Sequence, residues 1–128
     1  MPQILTSDQF VAGVVSVLAL QNRKSFVLTD TELDHRFAEA YQDLVEHEQE
    51  FDVAPNFTFF VDEVHGDSIC LRETLLAAKE KELIALNNPT FRTFEITLND
   101  ERAKRYLAKN PVPTHFFEEI VTRHFNGL

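Results

Sequence analysis

The side chains best suited to chemistry in this chain are a set of hydroxyl and cationic groups: Ser68, Arg72, Lys79, Arg92, Arg102 and Arg105. Guanidinium and ammonium groups hold phosphate oxygens, and side chains near the start of an exposed helix read base edges in a major groove. Ser68, Arg72 and Lys79 fall at the start and on the outer face of one expected helix. Arg92 falls beside an expected hairpin turn, where it would reach phosphate or the minor groove. Arg102 and Arg105, with Lys104 between them, fall on the next helix and would add contacts to the nucleic-acid backbone.

Other chemistries find less material. His47-Glu48-Gln49-Glu50 lacks the second histidine of H-E-x-x-H, so it offers no zinc-protease pattern. Asp62, His65 and Asp67 cluster around one turn and could hold a cation or a general base. A capped helix end with a surface histidine is the better reading. Cys70 is the one thiol, just inside an expected helix N-terminus, a position that lowers a thiol pKa. With Ile69 and Leu71 beside it, Cys70 reads instead as a buried structural residue. His115 and His124 flank a Phe-rich segment and read as packing or interface residues. The sequence has no glycine-rich phosphate loop and no G-x-S-x-G elbow. Neither an enzyme nor a bound cofactor or metal is expected.

Charge sets the next limit. The formal net charge is −9, which opposes global attraction to nucleic acid or to anionic membranes. Its distribution is uneven: residues 30–67 carry twelve acids and one base, whereas residues 72–109 carry eight bases and six acids. With 128 residues, twelve of them Phe, the chain suits a single domain over 1–128 with an aromatic core. A lone cysteine excludes a disulfide framework, and the apolar run Val14–Leu20 is too short to span a bilayer. No basic n-region precedes that run, so a cytoplasmic location is the expectation.

The elements that must position these residues are mainly helical. A first helix is expected from a cap at Ser7 or Asp8, with Phe10, Val14, Val17 and Leu18 along one face. Ser25–Leu28 reads as a short extended piece. Thr29 and Glu32 have capping-box spacing before a helix with the stripe Leu33, Phe37, Tyr41, Leu44. The opposite face of that helix is acidic, through Glu39, Asp43, Glu46 and Glu50, and Ala54-Pro55-Asn56 breaks it. Phe57, Phe60, Val61 and Val64 predict a third helix, although Phe57–Val61 also has strand propensity. His65-Gly66-Asp67 turns into a fourth helix carrying Leu71, Leu75 and Ala78, capped by Asp67 or Ser68. Leu83–Leu86 and Arg92–Leu98 predict a hairpin, since Phe94, Ile96 and Leu98 alternate with polar residues. Asn99 caps a fifth helix, stopped by Pro111 and Pro113, and a last helix carries Phe117, Ile120 and Val121.

The order α-α-α-turn-α-β-β-α-α, a mainly α chain with a small β-hairpin, resembles that of MarR-type winged-helix regulators. Residues 60–66, Phe-Val-Asp-Glu-Val-His-Gly, through Glu82-Leu83-Ile84 are similar to that family's helix-turn-helix and its "Gly-Leu-Ile" strand. Pro89-Thr90-Phe91-Arg92 is similar to the wing tip, and Leu98-Asn99-Asp100-Glu101 to the entry into the dimerisation helices. The chain departs from the pattern at Asp62, at Arg72 and in its single wing arginine. The resemblance implies a transcriptional regulator that binds double-stranded DNA as a homodimer through its first and last helices. Asp62, Glu63 and Asp67 oppose phosphate binding. They leave a second reading: an acidic interaction module on the same fold that meets a basic protein partner and does not bind DNA.

Overall fold

The computed structural model of the chain describes residues 3–22, 25–27, 32–57, 59, 69–80, 83–86 and 93–125. In order they form β1 (Gln3–Leu5), α1 (Ser7–Leu20), β2 (Ser25–Val27), α2 (Glu32–Glu46), α3 (Glu48–Phe51) and β3 (Val53–Pro55). These are followed by α4 (Ile69–Glu80), β4 (Ile84–Leu86), β5 (Thr93–Ile96), α5 (Asp100–Lys109) and α6 (Thr114–His124). The described chain is therefore mainly helical, and none of its helices is long and apolar enough to cross a membrane.

α1 is the centre. Its N-cap is Thr6, one residue before the expected Ser7 and two before Asp8, because a capping box forms there. The Thr6 hydroxyl accepts from the Gln9 amide at 3.2 Å, and the Gln9 side chain accepts from the Thr6 amide at 3.0 Å. The expected single apolar stripe is also corrected. Every residue from Phe10 to Ala19 is buried, Ser16 included, because Val11, Ala12, Val15 and Ala19 make the helix apolar all round. α4, α5 and α6 pack around it. Gly13 lets α6 approach closely: a Cβ there would stand 2.3 Å from Cζ of Phe117.

The expected long second helix divides at His47. α2 ends at Glu46, and the His47 Nδ1–H donates to the Asp43 carbonyl at 2.8 Å, satisfying a C-terminal acceptor of that helix. After the single turn of α3, Asp52 adopts a left-handed conformation (φ 55°) and its carbonyl accepts from the Gln3 amide at 2.9 Å. β3 then pairs with β1 in parallel, Gln3 opposite Val53 and Leu5 opposite Pro55. The segment read as a helix breaker is thus also a strand.

The second sheet has the order β2-β5-β4, antiparallel throughout. Its hairpin strands agree with the expected pair, with Ile84 opposite Ile96 and Leu86 opposite Phe94. Ser25–Val27, expected only as an extended piece, supplies the third strand on the outer side of β5.

Of the helix expected over 57–64, only Phe57 and Phe59 are described, and neither is helical. Their rings lie 5.0 Å apart and both contact Phe10 and Tyr41. Residues two apart reach one side in extended chain, not in a helix. Phe59 also packs edge-on against Phe37, tying α2 to α1. The expected turn at 65–67, the Thr29 cap and the Asp62–His65–Asp67 cluster lie outside the described residues.

Candidate nucleic-acid interface

Three residues separate the end of α4 from the start of β4. Leu83 closes the junction: its amide donates to the Ala78 carbonyl, and its carbonyl accepts from the Thr97 amide, both at 3.0 Å. One residue therefore ties the end of α4 to both sides of the hairpin. Leu71, Thr74, Leu75 and Ala78 form the buried side of α4, and the Thr74 hydroxyl donates to Ser7 of α1 at 3.0 Å. Those contacts turn Glu73, Leu76, Lys79 and Glu80 outward.

Of the six expected contact residues, Lys79 sits on this exposed face. Arg72 lies within α4 by its backbone, whereas Ser68 and Arg92 lie outside the described residues. Leu76 is a neighbour that sequence reasoning missed. It is 46% exposed on a helix whose other leucines are buried, one position beyond Leu75 in the apolar stripe. An exposed aliphatic group on a groove-facing helix can meet a thymine methyl. Glu73 and Glu80 on the same face oppose phosphate.

Arg102 and Arg105 lie together on α5. Asn99 caps this helix as expected, its side chain accepting from the Arg102 amide at 2.8 Å. Ala103 and Leu107 bury the opposite face against α1. Arg102, Arg105, Tyr106 and Lys109 line one groove along the exposed side. Arg105 also pairs with Glu101 one turn earlier at 2.7 Å, an exposed contact that fixes direction more than it adds stability. A cleft separates this cationic ridge from α4, with Thr74 and Ala78 on one wall and Tyr106 and Lys109 on the other.

The acidic side of α2 is not simply a solvated face. Asp43 Oδ2 accepts from Arg123 Nη1 at 3.0 Å and lies 2.7 Å from Nε2 of His124. Nδ1 of His124 is 3.2 Å from Glu39 Oε2. A neutral imidazole can donate to one of these carboxylates, and the imidazolium donates to both. The His124 side chain is only 12% exposed and that of Asp43 18%, so this is the join between α2 and α6. His124 is thus a hydrogen-bonding as well as a packing residue. His115 does pack, against Phe51, in an aromatic group with His47 and Phe116. Cys70 lies in the first turn of α4, as its position in the sequence suggested.

No protein-family model, curated protein or solved structure matches this chain.

Proposed function

We propose that this protein is a DNA-binding transcriptional regulator of winged-helix type. The observation that carries the reading is the β2-β5-β4 sheet with α4 and β4 only three residues apart in the chain. An early strand pairs with the second strand of a hairpin, and the helix before that hairpin keeps one face outside. Such a pairing supports a winged-helix reading, in which the helix before the hairpin would be the recognition helix and the hairpin the wing. α4 has twelve residues, about 18 Å at 1.5 Å per residue, which suits insertion in a major groove. In this proposal Ser68, Arg72 and Lys79 contact the groove and Arg92 contacts the backbone from the wing. Arg102 and Arg105 add phosphate contacts from α5, and the protein works in the cytoplasm.

A two-half-site regulator also needs a homodimer. α1 is enclosed by its own chain, so the proposed dimer uses the outer face of α6, where Glu118, Glu119, Thr122 and Arg123 are exposed. The competing reading, an acidic module for a basic protein partner, has lost part of its surface. Asp43 and Glu39 already face Arg123 and His124 within the chain.

The test is fluorescence anisotropy of duplex DNA, taken from a randomised library by enrichment, across a salt series. Binding that weakens steeply with salt supports the proposal. Alanine at Arg72 or Arg92 should lower affinity, and each lost phosphate contact should reduce the salt slope by about one. No binding at low ionic strength would refute it.

A further inference from the structure

We propose that Glu73 and Leu76 of α4 select the base sequence of the bound duplex: Glu73 takes a cytosine, and Leu76 takes the methyl group of a thymine on a neighbouring base pair. This inference rests on the reading of α4 as the groove-facing helix and names the DNA that such a face would choose. Glu73 is the fifth of the twelve residues of α4 and Leu76 the eighth, ahead of Lys79 and Glu80. The N-terminal part of a recognition helix is the part that reaches base edges.

Position comes first. Leu71, Thr74, Leu75 and Ala78 already bury the inner side of α4, so the core needs neither Glu73 nor Leu76. Glu73 is exposed and Leu76 is 46% exposed; among the described residues, Ile4 is the other large apolar side chain that stands out in this way. Residues three apart on a helix are neighbours on one face. They are also about 4.5 Å apart along the axis at 1.5 Å per residue, close to the 3.4 Å step between successive phosphates of one strand. A helix lying along the groove would set these two side chains over adjacent base pairs.

The chemistry of the pair then assigns the bases. A carboxylate accepts hydrogen bonds and does not donate them. In the major groove guanine offers two acceptors, adenine an acceptor beside its amino group and thymine an acceptor beside its methyl, whereas cytosine offers only its amino donor. Cytosine is thus the one base that Glu73 meets without facing a lone pair on the same ring system. Leucine has no hydrogen-bonding group, so the thymine methyl is the target it can cover. Charge gives the pairing its consequence. Glu73 repels phosphate wherever the protein lands, which lowers non-specific affinity, and offsets that loss only opposite a cytosine amino group. In a chain of net charge −9, this carboxylate works as a filter against wrong sequences more than as an anchor.

The probe is a duplex enriched on the full chain from a randomised library, with each of its base pairs then permuted and binding read by anisotropy. One position should demand cytosine, with a loss of about ten-fold or more for any other base, and a neighbouring position should prefer thymine. Replacing that thymine by uracil removes one methyl and should weaken binding about four-fold. Leu76→Ser should erase the difference between thymine and uracil. Glu73→Gln should raise affinity for random duplex, relax the demand for cytosine and favour adenine at the same position, since a glutamine amide pairs with adenine N6 and N7. Circular dichroism checks the fold of both variants, and the base permutations on the unmodified chain test the assignment without either. Salt-dependent binding in which no position demands cytosine, in which Glu73→Gln leaves the preference unchanged, or in which uracil binds as tightly as thymine would overturn this inference alone. No duplex binding at low salt would overturn it together with the reading of α4.

Discussion

Phe117 of α6 packs directly onto the backbone of Gly13 in α1, so closely that a Cβ at position 13 would lie 2.3 Å from the ring's Cζ and 2.5 Å from both ε carbons. The missing side chain sets the distance between the central helix and the last one. Gly13→Ala improves intrinsic helix propensity by roughly 1 kcal/mol, yet it must displace a ring buried on all sides. The net expectation is a loss of about 1–3 kcal/mol in urea denaturation. Phe117→Leu in the same chain should recover part of that loss. An unchanged or raised midpoint for Gly13→Ala would show that α6 is free to move away from α1.

Phe59 links the α1 and α2 sides of the core through Phe10, Phe37, Phe57 and Tyr41. Phe59→Ala should cost about 3–5 kcal/mol, the scale for deleting a buried ring, and Phe59→Leu clearly less. Equal effects of the two changes in thermal denaturation would contradict a close-packed aromatic junction.

Asp43 faces both Arg123 and His124, but the two contacts differ in exposure. The Arg123 side chain is 60% exposed and that of His124 is 12% exposed. Arg123→Ala should therefore change stability by only a few tenths of a kcal/mol, as exposed ion pairs do. Asp43→Asn, which weakens the sheltered hydrogen bond as well, should cost about 1–2 kcal/mol. A larger loss for Arg123→Ala than for Asp43→Asn would reverse this assignment.

What was legible in the sequence was local. The Asn99 cap and the alternation of Ile96 and Leu98 against Glu95 and Thr97 were readable because capping and period-two burial act over a few residues. The parallel pairing of Gln3–Leu5 with Val53–Pro55 was not, because each strand has only three residues and the partner lies about fifty positions away. Proline in Val53–Pro55 reads as a breaker, yet at the end of a short strand its missing amide costs little, and the Asn56 amide donates to Leu5 instead. The stripe on α1 understated its burial, since Val11, Ala12 and Val15 matter only once α4, α5 and α6 surround them. For the candidate site, charge and helix position located Arg102 and Arg105. Lys109, in the last turn of α5, carries no local signal beyond suiting the C-terminal end of a helix dipole. Its place at the mouth of a cleft depends on α1 and α4, which no local pattern encodes.

The most direct test of DNA recognition by α4 and the hairpin is the salt dependence of duplex binding, read by anisotropy for the unmodified chain and for Arg72→Ala, Lys79→Ala and Arg92→Ala. Saturable binding with a negative slope of log affinity against log salt is predicted, with a shallower slope wherever a removed cation touches phosphate. Binding that is absent at low salt, or unchanged in affinity and slope by all three substitutions, would contradict it.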